Sequence, residues 1–243
     1  MNVNEIKQRV SRSERIVFFG GAGTSTESGI PDFRSANGLF QTLVGAYSPE
    51  EILSRDFFLN HVEEFYAFYK QRMLYPNAAP NRGHIVLAEL ERQGRLQAII
   101  TQNIDGLHQK AGNQNVLELH GSVHRNHCMD CHSSYTLDDI YRSGDRAPRC
   151  TACGGLVKPD VVLYQEGLDM DVLHRAIQYI EQADVLIVAG TSLTVQPAAS
   201  LVRHYRGDAM ILINKSATPY DEIANAVIQD GFSDTLEALF EPA

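Results

Sequence analysis

The stretch FFGGAGTSTESGIPDFRS, Phe18 to Ser35, leaves a short apolar segment, Arg15–Phe19, and breaks at once into glycine; it then sets Pro31, Asp32, Phe33 and Arg34 in a row. Gly20, Gly21 and Gly23 present bare backbone at a strand end, where N–H groups can approach a pyrophosphate and donate to it. The common dinucleotide pattern runs G-x-G-x-x-G into a helix whose N-terminus faces the phosphates. Here glycine returns at 29, but Pro31 ends any helix early. Taken alone, the stretch reads equally well as an ordinary strand-to-helix turn.

Its companions decide. Further apolar strands at Gln97–Thr101, Asp184–Ala189, Met210–Ile213 and Ala226–Ile228 alternate with helical patterns at Val62–Leu74, Gly83–Gln93, Val172–Gln182 and Pro197–Tyr205. This alternation predicts an α/β fold, a Rossmann-like parallel sheet with helices on both faces. TQNID (Thr101–Asp105) closes the second strand, GTS (Gly190–Ser192) the third, and Asn214 follows the fourth. Open parallel sheets bind ligands along the carboxyl ends of their strands. Polar groups after four separate strands would therefore line one crevice.

Two stretches depart from this pattern. Residues 36–80 are too long for a simple crossover and read as a helical insert beside the sheet. Residues 124–157 are polar and hold all four cysteines. The expected division is a sheet domain from 1–35, 81–123 and 158–243, with a small domain made of the helical insert and the cysteine module. Cys128-x-x-Cys131 and Cys150-x-x-Cys153, separated by 18 residues, have the spacing of a four-thiolate zinc ribbon. Four sulfurs fill a tetrahedral shell and leave no position for a reactive water, so the zinc is structural. His124, His127 and His132 lie nearby, but four cysteines suffice, and these read as surface histidines.

The chain has 243 residues, 44% hydrophobic, with net charge −9. That charge repels phosphate backbones and argues against nucleic acid, while favouring basic protein partners such as lysine-rich peptides. No apolar run is long enough to span a membrane, and MNVNEIKQRV lacks the apolar core of a secretion signal. With paired cysteines in place of a disulfide framework, a cytoplasmic location is expected.

GAGTSTESGIPDFR, TQNIDGLH, LHGSVH, the two cysteine pairs, KPDVVLYQE, GTSLTVQPAA and IN together, in this order and spacing, resemble the sirtuin family of NAD-dependent protein lysine deacylases. The resemblance covers almost the whole chain and is greatest to compact bacterial members. It implies that NAD is consumed as a co-substrate. The acyl-lysine carbonyl oxygen attacks C1′ of the nicotinamide ribose, nicotinamide departs, and an alkylamidate forms. His120 then acts as general base on a ribose hydroxyl, which attacks the amidate carbon.

Gly21, Ala22, Gly23, Thr26, Phe33 and Arg34 would belong to a mobile cofactor loop, with Arg34 on phosphate or ribose and Phe33 covering the ribose carbon after nicotinamide leaves. Gln102 and Asn103 would hold the ribose and a water. Ile104 and Asp105 would form the nicotinamide pocket, though Asp105 also reads as a helix N-cap. Gly190, Thr191 and Ser192 would bind phosphate, Asn214 the adenosine ribose and Asp230 the adenine. Val161 and Val162 would contact the lysine stem of a peptide adding as a β-strand. Partners would be acylated lysine-containing proteins or peptides.

Tyr69 and Arg72, three apart in a helix, share a face, and the resemblance makes such a pair the mark of members that accept succinyl- or malonyl-lysine. Two departures stand out. The family usually has Phe-Gly-Glu where this chain has Tyr164-Gln165-Glu166, and a threonine in place of Gly20. Other readings remain open at this stage: mono-ADP-ribosyl transfer, or an NAD or ADP-ribose sensor. A dehydrogenase would need the fuller phosphate fingerprint and an acidic residue after the second strand.

Overall fold

The computed structural model describes residues 3–35, 38–41 and 46–240. Its strands are β1 (Ile16–Gly20), β2 (Leu96–Thr101), β3 (Val116–Glu118), β4 (Gly121–Cys128), β5 (Ser134–Tyr135), β6 (Val157–Val161), β7 (Val185–Ala189), β8 (Met210–Ile213) and β9 (Ala226–Ile228). The helices are α1 (Val3–Arg12), α2 (Pro49–Ile52), α3 (Arg55–Asn60), α4 (Val62–Arg72), α5 (Arg82–Arg92), α6 (Leu107–Ala111), α7 (Leu137–Arg142), α8 (Met170–Gln182) and α9 (Phe232–Phe240).

β1 is buried at every residue, as a strand covered on both faces must be. Ile16 and Phe18 pack with Ile6 and Val10 of α1, Leu87 of α5 and Leu236 of α9. Val17 and Phe19 turn the other way, onto Ala176 and Ile180 of α8 and Leu201 of a 3-10 segment, Ala198–His204. All pairings in the sheet are parallel, in the order β3-β2-β1-β7-β8-β9. The chain winds outward from β1 to β3, returns to β7 beside β1, and winds outward the other way. The order therefore reverses between β1 and β7, and a crevice opens at their carboxyl ends.

The predicted α/β sheet is present, with differences in detail. β3 has three residues, too few for a periodic signal, and was not foreseen. The expected helix at Pro197–Tyr205 is the 3-10 segment. The boundary expected at 124 falls inside β4, which pairs with β6 from Gly121↔Val161 to Cys128↔Val157. The cysteine module thus grows from an antiparallel stem, β5-β4-β6, whose β4–β6 register is interrupted between Ser122 and Asn126, and not from a loop.

The helical insert and the cysteine module have one core between them. Ile52, Phe57, Phe58, Phe65, Tyr66 and Phe68 of the insert pack with Val123, Ile140, Ala147, Val157, Val161 and Leu163. Polar ties reinforce the packing. The Tyr66 hydroxyl donates to the Val157 carbonyl at 2.5 Å, Glu63 accepts from the Ala147 N–H at 2.7 Å, and Lys70 Nζ donates to Ser143 Oγ and to the carbonyls of Gly144 and Arg146. The polar cysteine module shares its apolar floor with the helices of the insert upstream. Phe58 is 1% exposed and meets Phe65 edge-on. Phe58→Ala should therefore cost about 3–5 kcal/mol in chemical denaturation. Amide exchange should rise in α3–α4 and in β4–β6 together; a rise confined to the insert would contradict a shared core.

Candidate active site

The turn after β1 lies directly on the turn after β7. Gly21 N–H donates to the Ala189 carbonyl at 3.1 Å and Gly23 N–H to the Gly190 carbonyl at 2.8 Å. A Cβ on Gly23 would stand 2.7 Å from Gly190 Cα, and one on Gly21 2.7 Å from Thr191 Cβ. Gly190 itself has φ of +61°, a region that L side chains rarely enter. Packing against the β7 turn is thus a second reason for glycine at 21 and 23, beside the expected approach of a pyrophosphate. The space that their side chains would occupy is filled by the neighbouring turn, although both residues still border the cavity. At Gly20, a Cβ would meet the edge of the Phe18 ring at 2.7 Å. Phe18 needs that room for its packing on His108 and Phe232.

Past Gly21 the chain coils as a 3-10 turn, Ala22–Ser28, closed by Gly29. Asp32 then caps its own bend, its Oδ1 accepting from the N–H groups of Arg34 (3.1 Å) and Ser35 (2.8 Å). The Phe33 ring packs on Phe40 at 5.2 Å, and the Arg34 guanidinium lies over Phe40 and 3.7 Å from Glu50.

These turns border a cavity of about 1310 Å³ at the carboxyl ends of β1, β2 and β7. All fifteen expected cofactor residues line it, from Gly21 to Asp230, together with His120, Val161, Val162 and Arg72. Tyr69 does not. It is fully buried, stacked on Phe65 at 5.5 Å, and its hydroxyl has no hydrogen-bond partner among the described residues. The expected pair is therefore split: Arg72 reaches the cavity wall and Tyr69 stands behind it in the aromatic core. Burial pushes the Tyr69 hydroxyl well above its usual pKa.

A buried network joins the 3-10 turn to the loop after β2. Asn103 Nδ2 donates to Thr24 Oγ1 (3.1 Å) and Ser25 Oγ (3.0 Å), and Ser25 Oγ donates to Asp105 Oδ2 (2.7 Å). The other Asp105 oxygen accepts from Leu107 N–H at 2.9 Å, so the carboxylate holds the start of α6 while one face borders the cavity. Burial raises its pKa, opposed by the bonds from Leu107 and Ser25. Gln102 Nε2 donates to Thr191 Oγ1 at 2.9 Å, linking the β2 and β7 turns.

His120 Nδ1 lies 3.0 Å from the Gln102 carbonyl. A carbonyl only accepts, so Nδ1 carries the proton and Nε2 keeps its lone pair. Burial lowers the pKa of this imidazole, partly offset by that hydrogen bond, and favours the neutral form that a base requires. Ser25 and Thr24 were missed in the sequence, where the hydroxyls of AGTSTES look interchangeable.

The four cysteines are free, with all Sγ atoms within 4.8 Å of one another. Cys128–Cys153 and Cys131–Cys150 are each 3.5 Å apart, too long for disulfides. Zn–S bonds of about 2.3 Å in a tetrahedron put sulfurs roughly 3.8 Å apart, so the donor set suits a structural zinc. The Tyr135 hydroxyl donates to Cys150 Sγ at 3.1 Å and favours its thiolate. Cys150→Ala should release the metal, measured as zinc per chain, and cost about 4 kcal/mol or more in stability. A zinc-free variant of undiminished stability would remove the structural role.

A model of the Sir2 family matches residues 21–197. The chain is 55% identical over 238 residues to an NAD-dependent protein deacetylase of Clostridium acetobutylicum, covering 98% of this chain and 97% of that protein. It is 54% identical over 237 residues to an NAD-dependent protein deacetylase of Clostridium tetani, covering 97% and 96%. A solved Sir2–p53 peptide–NAD+ structure is 38% identical, covers 98% of this chain and 96% of its own, and superposes with a TM-score of 0.85. No helix among the described residues is long and apolar enough to cross a membrane.

Proposed function

The chain belongs to the Sir2 family, and from that premise we propose that it is an NAD-dependent protein lysine deacetylase that passes the acetyl group to ADP-ribose and releases nicotinamide. The observation that carries this reading is the meeting of a neutral, proton-accepting His120 Nε2 with the Asn103–Ser25–Asp105 network in one cavity at the reversal of strand order. NAD, when bound, supplies the glycosidic bond that breaks and the ribose that receives the acetyl group.

The protein's own groups position and deprotonate. The cavity accepts NAD across the β1, β2 and β7 turns, with Gln102 and Thr191 as polar contacts. Asp105, half-buried and already bonded to Ser25 and Leu107, offers a carboxylate to the nicotinamide amide. Phe33 and Arg34, on the cavity rim, cover the ribose and exclude water. His120 Nε2 takes a ribose hydroxyl proton, and the Gln102 carbonyl stabilises the imidazolium through Nδ1–H. The acetyl-lysine peptide enters along Pro159–Glu166, with Val161 and Val162 against the lysine stem.

Incubation with NAD and acetylated peptide, with product masses recorded, tests the reading. Equimolar nicotinamide, deacetylated peptide and acetylated ADP-ribose support it; peptide carrying ADP-ribose with its acetyl intact points to mono-ADP-ribosyl transfer instead. His120→Ala should keep NAD binding and lose ~10²–10⁴-fold in kcat. Because burial lowers the His120 pKa, the base form persists to acid pH. The acidic limb of kcat/KM should fall below the ordinary histidine value of about 6.5; a limb above it would contradict this assignment.

Acidic acyl groups form the narrower part of the proposal and depend on Arg72, which is exposed at the cavity mouth, since Tyr69 is not on the cavity wall. Arg72→Met should lower succinyl-lysine turnover about 3- to 10-fold more than acetyl-lysine turnover, at the weak end for a charge-assisted bond because of solvent. Equal losses would make Arg72 structural, and no desuccinylation by the unaltered enzyme would confine the activity to acetyl groups.

A further inference from the structure

Gln165 stands where the resembled family carries glycine, yet it keeps a glycine's backbone, with φ of +75°. A Cβ is disfavoured in that region, so the surroundings must hold it there. They do so through one reciprocal pair. The Asp56 N–H donates to Gln165 Oε1 at 3.0 Å, and Gln165 Nε2 donates to Asp56 Oδ2 at 3.1 Å. Asp56 lies in the first turn of α3, in the helical insert.

The residues on either side are tied as firmly. Tyr164 N–H donates to the Leu53 carbonyl and Arg55 N–H to the Tyr164 carbonyl, both at 3.0 Å, a parallel bridge between Ser54 and Tyr164. Behind the loop, Glu166 Oε2 accepts from Leu163 N–H (2.9 Å) and from Lys158 Nζ (3.1 Å). Lys158 Nζ also donates to the carbonyls of Pro159 and Val161. The backbone bridge and the lysine clamp leave residue 165 as the joint between them.

We propose that Gln165 and Asp56 form a positioning pair that holds the Leu163–Glu166 turn, closed by the Glu166 N–H on the Leu163 carbonyl at 3.0 Å, in a single shape, ready for the acetyl-lysine peptide. A glycine at this joint has several backbone wells open to it. Glutamine has few, and the pair selects the one used. The peptide then meets an edge that is already ordered, and less of its binding energy is consumed in ordering it. This rests on reading Pro159–Glu166 as the peptide strand. The pair touches neither the NAD turns nor His120, so its effect should fall on peptide affinity alone.

The test measures peptide affinity directly, by anisotropy of a fluorescent acetyl-lysine peptide, beside steady-state kinetics of the full chain. Gln165→Gly and Asp56→Ala should each raise peptide Kd and KM about three- to tenfold, the scale of exposed hydrogen bonds. The NAD KM and kcat should stay within about twofold. The double variant should be no weaker than either single, since both remove one interaction. Asp56→Asn keeps an oxygen for Gln165 Nε2 and should recover most of the affinity. Glycine suits φ of +75°, so Gln165→Gly should melt no lower than the unaltered protein. Unchanged peptide affinity in Gln165→Gly, or an equal loss of NAD and peptide affinity, would overturn the proposal. Absence of NAD-dependent deacetylation by the unaltered protein would instead remove the activity reading, while the peptide Kd ratio would still decide the pair.

Discussion

Backbone lying on backbone is the constraint on which the site depends. The β1 and β7 turns approach so closely that Gly21, Gly23 and Gly190 have no room for a side chain. Two N–H groups of one turn are satisfied by carbonyls of the β7 side, and Gln102 reaches Thr191 to bring in the β2 turn. With three turns locked together, the crevice at the strand reversal has a fixed floor. An alanine at 23 would meet Gly190 Cα at 2.7 Å and prise the floor apart.

On that floor the chemistry is set by burial. His120 and Asp105 are half-buried in the cavity wall, and that partial desolvation shifts each toward its neutral form, the imidazole downward and the carboxyl upward. Asp105 is kept from full isolation by bonds from Leu107 and Ser25. His120 has its proton directed to Nδ1 by a carbonyl that can only accept. Two groups in one low-dielectric cavity are thus prepared for different tasks by their hydrogen bonds, and not by residue type alone.

Much of this was legible in the sequence because the relevant signals are local. A strand buried on both faces must be apolar throughout, so β1, β7 and β8 announced themselves, and β2 nearly so, with Gln97 its one half-exposed residue. Two Cys-x-x-Cys pairs carry their geometry in their spacing. What could not be read depends on contacts between distant segments. Ser25 matters because Asp105 lies 80 residues on, and nothing separates it from Thr24 or Thr26 in the chain. Tyr69 and Arg72 share a helical face by spacing, but α4 also buries Phe65, Tyr66 and Phe68. With aromatic residues around so much of the helix, periodicity does not say where core ends and cavity begins. Gln165 reads as a break in a glycine pattern, and only Asp56, 109 residues away, explains how the backbone keeps its shape.

The shared core of the helical insert and the cysteine module also orders events during synthesis. Tyr66 leaves the ribosome 91 residues before the Val157 carbonyl it bonds. At roughly 5–20 residues per second that interval is about 5–20 s. Phe57, Phe58 and Phe65 are made before it begins, β4 is made partway through it, and β6 only at its end. The nascent helices wait beside a half-built sheet, with their aromatic core incomplete until β6 arrives. In this fold the last pieces of the small domain to be made complete the environment of some of the first.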